Sequence, residues 1–169
     1  MAQARATGAP VVDRRWIDAQ ILEANRIFAP AGIAFQPEPP QPLAAPFASI
    51  RSRRARHALA RFAAPRRVNV FIPGYLGDLE APERPIWGVH WRTRGPHRHH
   101  VILSAAAGSD VLAHELGHFF GLGHETGPLN IMSYGRMGGA RFDPSQLERI
   151  RRFRRRLGRR DRLRTAAGG

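Results

Sequence analysis

Hydrophobic positions recur with a helical period over residues 13–29. Ile17, Ile21, Ala24 and Phe28 fall at i, i+4, i+7 and i+11, on one face of a 3.6-residue repeat. Asp13 stands where an N-cap belongs, Pro30 stops the helix and Gly32 starts a turn. Ile33, Ala34 and Phe35 read as a short strand. The prolines at 37, 39, 40, 42 and 46 then make an extended connector that can neither be helical nor pair fully in a sheet. Residues 49–63 give a second helix with a ragged apolar side of Ile50, His57, Leu59 and Phe62. Residues 68–72 (VNVFI) form a buried strand closed by Pro73-Gly74, and residues 86–92 and 101–103 read as two further strands. Ser109 or Asp110 caps a helix running to about Phe120. Asp143-Pro144 opens a last one, with Leu147, Ile150, Phe153 and Leu157 as its stripe. The small, polar first residues read as a frayed end, and the chain past Gly158 as a solvated basic tail.

Composition narrows this picture. At 169 residues and 43% hydrophobic content, the chain suits one domain with a sizeable core. No apolar run approaches the roughly 20 residues that span a bilayer. The absence of cysteine excludes disulfides, thiolate metal sites, cysteine nucleophiles and a thiolate latency plug. All 27 basic residues are Arg, and the net charge is +14. Residues 149–164 hold ten Arg against Asp161 alone. Such a segment can meet phosphate or anionic lipid, so an Arg-rich nucleic-acid or membrane-surface binder is one reading. No recognised nucleic-acid motif accompanies the charge, and no specific nucleic-acid partner is expected. The first fifteen residues lack the apolar region of a signal peptide. A secreted or periplasmic location is expected if a leader has been trimmed, and a cytoplasmic one if the chain is complete.

The chemistry concentrates in residues 114–124, H-E-L-G-H-F-F-G-L-G-H. His114 and His118, four apart, project from one face of a helix and can share a metal ion. Glu115 is the next residue round, close to the metal without pointing along with the ligands, which suits a base acting on water. His124 lies six residues past His118; on a continuous helix it would stand about 240° away, on the wrong side. The helix must break between them, and Gly121 can take the left-handed conformation that breaks it. Three histidines leave a fourth tetrahedral position open, as catalytic zinc sites require. Met132 follows eight residues after His124. By itself it reads as core packing, a polarisable base beneath the imidazoles. Tyr134 reads equally as a buried tyrosine or as one approaching the metal.

The pattern H-E-x-x-H-x-x-G-x-x-H followed by Asn130-Ile131-Met132-Ser133-Tyr134 resembles the metzincin clan of zinc metallopeptidases, with its methionine turn. The resemblance is strict over residues 114–134 and looser over 13–113. It implies an α+β fold: a twisted mixed β-sheet with two helices above a cleft, and a small C-terminal subdomain with a Met turn and a helix. The implied divisions are a flexible 1–12, a catalytic domain over 13–158 split at 124/125 into upper and lower subdomains, and a basic tail over 159–169. His114, His118 and His124 would be zinc ligands and Glu115 the general base. Met132 would be the turn methionine. Tyr134 would steady the oxyanion, as in the similar turns of astacins and serralysins. The strand at 86–92 or its neighbour would bind substrate by strand addition. The run of six residues between His124 and Ile131 is shorter than in many clan members, so substrate preference does not carry over.

The expected activity is a zinc-dependent endopeptidase that hydrolyses peptide bonds through a zinc-activated water, with a protein or peptide substrate and a monomeric chain. The competing readings are a narrow processing peptidase, and a non-catalytic, zinc-stabilised peptide-binding module. His90, His97, His99 and His100 offer a second, structural ion, but no acidic ligand stands among them and none is expected there. Asp78, Glu80 and Glu83 lack a calcium-loop spacing and read as a solvated loop.

Overall fold

A mixed sheet divides the hydrophobic core in two. The computed structural model describes residues 2–6, 9–94 and 99–166. In chain order its strands are β1 (Ala2–Ala6), β2 (Ala9–Pro10), β3 (Gln41–Leu43), β4 (Ser49–Ile50), β5 (Val70–Ile72), β6 (Tyr75–Leu76), β7 (Gly88–Arg92) and β8 (His99–Leu103). The helices are α1 (Arg14–Phe28), α2 (Arg53–Ala58), α3 (Val111–Phe119) and α4 (Pro144–Ala166). The main sheet has the order β2-β1-β5-β8-β7, with β3 also paired to β1. Strands β1, β5 and β8 run parallel, whereas β7 lies antiparallel to β8, with His90 opposite Val101. β7 therefore forms one edge of this sheet. Strands β4 and β6 make a separate parallel pair. The architecture is α+β.

Side-chain alternation assigns the two faces. Val70, Ile72, Val101 and Leu103 pack with Ile17, Phe28, Leu112 and Leu116, so α1 and α3 cover one face. Phe71, Trp91 and Ile102 pack with Ile50, Leu59 and Leu76, so α2 lies over the other. α4 returns to the end of α1: Ile150 is buried, and Arg154 donates to the Gly32 carbonyl at 2.8 Å.

The Asp13 carboxylate caps α1 by accepting the Trp16 N–H at 2.8 Å. Gly32, at φ +69°, ends the turn that follows. Five expectations need correction. The residues read as a frayed start include β1, whose backbone pairs with β3 and β5; a strand held by neighbours on both sides needs no periodic apolar pattern of its own. The proline connector contributes β3, because its pairing falls on only three residues. Residues 33–35 are extended but belong to no sheet; the Asn25 side chain takes the place of a neighbouring strand, accepting from Phe35 N–H at 2.6 Å and donating to Phe35 O at 3.1 Å. The helix read over 49–63 is shorter. Ser52 caps α2, a 3-10 turn over Leu59–Phe62 follows, and Ser49–Ile50 is strand. Finally, α4 runs past Gly158 to Ala166, so most of the segment read as a solvated tail is helical; its arginines are good helix formers. Among the described residues no helix is long and apolar enough to cross a membrane.

Candidate metal centre

α3 carries His114, Glu115 and His118, and its start is fixed from a distance. Asp110 precedes the helix but makes no capping hydrogen bond, and its carboxylate pairs with Arg136 instead. The cap comes from Gln20 of α1. Its Oε1 accepts the Leu112 N–H at 3.1 Å, and its Nε2 donates to the Gly108 carbonyl at 2.7 Å. Gln20 is buried on a face whose other members are apolar, and a polar residue in such a stripe was the signal available in the sequence.

α3 stops at Phe119. Gly121 has φ +87°, its N–H donates to His118 O at 3.0 Å, and the Leu122 N–H donates to Gly117 O at 3.0 Å. The chain turns off the helix axis there and brings His124 back towards His118. The His118 Nε2 lies 3.2 Å from His114 Nε2 and 3.0 Å from His124 Nε2. Tetrahedral zinc with bonds of about 2.0–2.1 Å holds its nitrogens about 3.3 Å apart, so the trio fits a single small cation. Among the described residues it is the one cluster of this kind.

Tautomers follow from the partners. The Nδ1 of His114 meets Ile131 O at 2.8 Å, and the Nδ1 of His118 meets Leu122 O at 2.9 Å. A carbonyl only accepts, so both Nδ1 atoms carry the proton and both Nε2 lone pairs face the shared point. Burial pushes the His114 imidazole down to about 4, against its bond to Ile131 O, and it lowers His118 and His124 as well. In each case the shift favours the neutral imidazole, the form a metal ligand needs.

Glu115 is 6% exposed. Burial pushes its carboxyl up to about 7, with the His90 backbone N–H and the charge of Arg136 pulling the other way. It fits because Gly88 has no side chain: a Cβ there would stand 2.9 Å from Glu115 Cγ and 2.7 Å from Val111 Cγ1. Gly88 was not singled out in the sequence, since a glycine opening a strand looks like a turn residue.

Met132 is fully buried beneath α3, against Gly117. Asn130 organises its turn: Asn130 Oδ1 accepts the Met132 N–H at 2.9 Å, and Asn130 Nδ2 donates to Gln146 of α4 at 3.2 Å. Tyr134 is 78% exposed, its ring centroid 4.2 Å from that of His124 and 6.1 Å from that of His114. It stands at the rim of the cleft rather than in the core. This open cleft of about 520 Å³ is lined by the trio, Glu115, Tyr134, strand β7 and Arg53.

The other candidates separate. His90 Nε2 faces His99 Nδ1 at 3.0 Å. His100 points to the opposite face of the sheet and contacts Arg56 O at 3.1 Å. His97 lies outside the described residues. Asp78 is engaged by Arg84 and by the Glu80 N–H at 2.9 Å, and it joins no metal-holding group among the described residues.

No protein-family profile matches the chain, and no curated protein sequence does either. Solved structures do match. One is the crystal structure of metalloproteinase-II from Bacteroides fragilis, with a TM-score of 0.60 at 13% identity over 90% of this chain. At that identity the likeness is one of fold. The chain corresponds to 51% of that protein's length.

Proposed function

We propose that this protein is a zinc-dependent endopeptidase of the metzincin type. The carrying observation is the convergence of three imidazoles beside a buried carboxylate, in a cleft bordered by the outermost strand of a sheet. His114, His118 and His124 would hold the ion through Nε2. Zinc bound there supplies a Lewis acid that lowers the pKa of water towards about 7 and polarises a carbonyl. Glu115 accepts the proton from the attacking water and delivers it to the departing amine. Burial keeps its carboxyl near the pH where one group can do both. Tyr134, whose ring lies beside that of His124, would donate a hydrogen bond to the developing oxyanion. The outer edge of β7 would hold an extended peptide by strand addition.

A centre that only stabilised a binding module would have no use for Glu115, whose burial costs folding energy whenever it ionises. The fold relationship to a metalloproteinase supports the same reading. The test is peptide hydrolysis before and after treatment with a strong chelator. Activity should vanish with the metal and return with stoichiometric zinc; hydrolysis indifferent to the chelator contradicts the assignment.

A further inference from the structure

Charge along the cleft is one-sided. Its lining includes one acid, the buried Glu115 already assigned to chemistry, and two exposed guanidinium groups, Arg53 and Arg92. Neither arginine has an ion-pair partner among the described residues, although Arg14, Arg26, Arg67, Arg84, Arg136 and Arg152 all do. The two flank the same strand from opposite faces. Arg92 ends β7 on the face shared with Gly88 and His90, next to α3. Arg53 begins α2 over the other face, with its guanidinium carbon 5.4 Å from the ring centre of Trp91.

An extended segment added to the outer edge of β7 points successive side chains to alternate faces. One set would meet Arg92 and the next Arg53. We infer that the cleft selects acidic peptides, specifically a segment with adjacent Asp or Glu residues beside the Arg92 end of β7. The inference rests on reading the cleft as a peptide-binding site. Two unpaired, exposed guanidiniums at the cleft rim reward carboxylates through charge-assisted hydrogen bonds and penalise Lys or Arg by like-charge contact.

The experiment uses the whole 169-residue chain, zinc-loaded and carrying Glu115→Gln, so that peptides bind without turnover. Fluorescent peptides of one length are compared by anisotropy, with Glu-Glu, Gln-Gln or Lys-Lys at the centre. Hydrolysis of the same three by the wild type is followed in parallel. The Glu-Glu peptide should bind about ten-fold tighter than Gln-Gln, and the Lys-Lys peptide more weakly still. Adding Arg53→Glu and Arg92→Glu together should reverse the order. Reversing Arg151 and Arg155 on α4, outside the cleft, should leave it unchanged. Equal affinity for the three peptides overturns the inference, as does a preference that survives reversal at 53 and 92 or that disappears with reversal at 151 and 155. Hydrolysis without acidic preference sinks the inference and spares the peptidase reading. Acidic preference in binding, without hydrolysis by the wild type, supports the inference and sinks that reading.

Discussion

Gly117 and Met132 share one volume: a Cβ on Gly117 would stand 2.3 Å from the Met132 Sδ. The helix that carries two of the converging histidines can settle onto the methionine only because the residue between them has no side chain. Met132 in turn follows Ile131, whose carbonyl fixes the His114 tautomer. The packing and the ligand geometry are thus joined through two contacts and the peptide bond between Ile131 and Met132. Gly117→Ala should therefore lower stability by about 1–3 kcal/mol, the usual cost of overpacking, and also weaken metal binding. Denaturant unfolding of metal-free protein, with a competitive zinc titration alongside, checks both. An alanine variant with wild-type affinity and midpoint would show that the helix and the turn are not coupled.

Gly88 plays a corresponding part on the opposite side of Glu115. Gly88→Ala should keep one metal per chain but push the carboxylate aside. A displacement of the order of 1 Å in such a group costs about 100-fold in rate. Metal analysis together with steady-state hydrolysis separates this outcome from simple unfolding. Unchanged kcat/KM in the folded variant would contradict the close approach at this strand.

His100 supplies a pH dependence that does not involve the metal centre. Burial pushes its imidazole down to about 4 from an ordinary 6.5, and the bond to Arg56 O opposes this only in part. The folded state therefore binds fewer protons than the unfolded state between these two values. Its contribution is present in full above pH 6.5 and is lost as the pH falls to about 4, a swing on the order of 3 kcal/mol. His100→Phe, which keeps a ring beside Phe71, should gain stability relative to the wild type across that window. Parallel stability curves for the two proteins between pH 4 and 7 would refute it.

Much of this arrangement could be read from the chain because it rests on local rules. α1, with Asp13 as its cap, and α3 announce themselves by period and cap. The His114/His118 pair follows from helical spacing, and the need for a break before His124 follows from its angle. What could not be read depends on partners distant in sequence. β1 is held by strands more than thirty residues away. Gln20 caps a helix some ninety residues downstream. The spaces left by Gly88 and Gly117 acquire meaning only once Glu115 and Met132 are seen to fill them. Residues 33–35 show the converse: a short apolar run looks like a strand, but Asn25 satisfies the Phe35 backbone without a sheet.

The most direct test of the central claim compares the zinc-loaded wild type with Glu115→Gln on a peptide mixture, with metal content and fold verified for both. The variant should hold one zinc ion per chain and unfold no earlier than the wild type. It should cleave at least about 100-fold more slowly, because a glutamine cannot take up the proton from water. Equal cleavage by the two proteins, or no cleavage by the fully loaded wild type, would contradict the account.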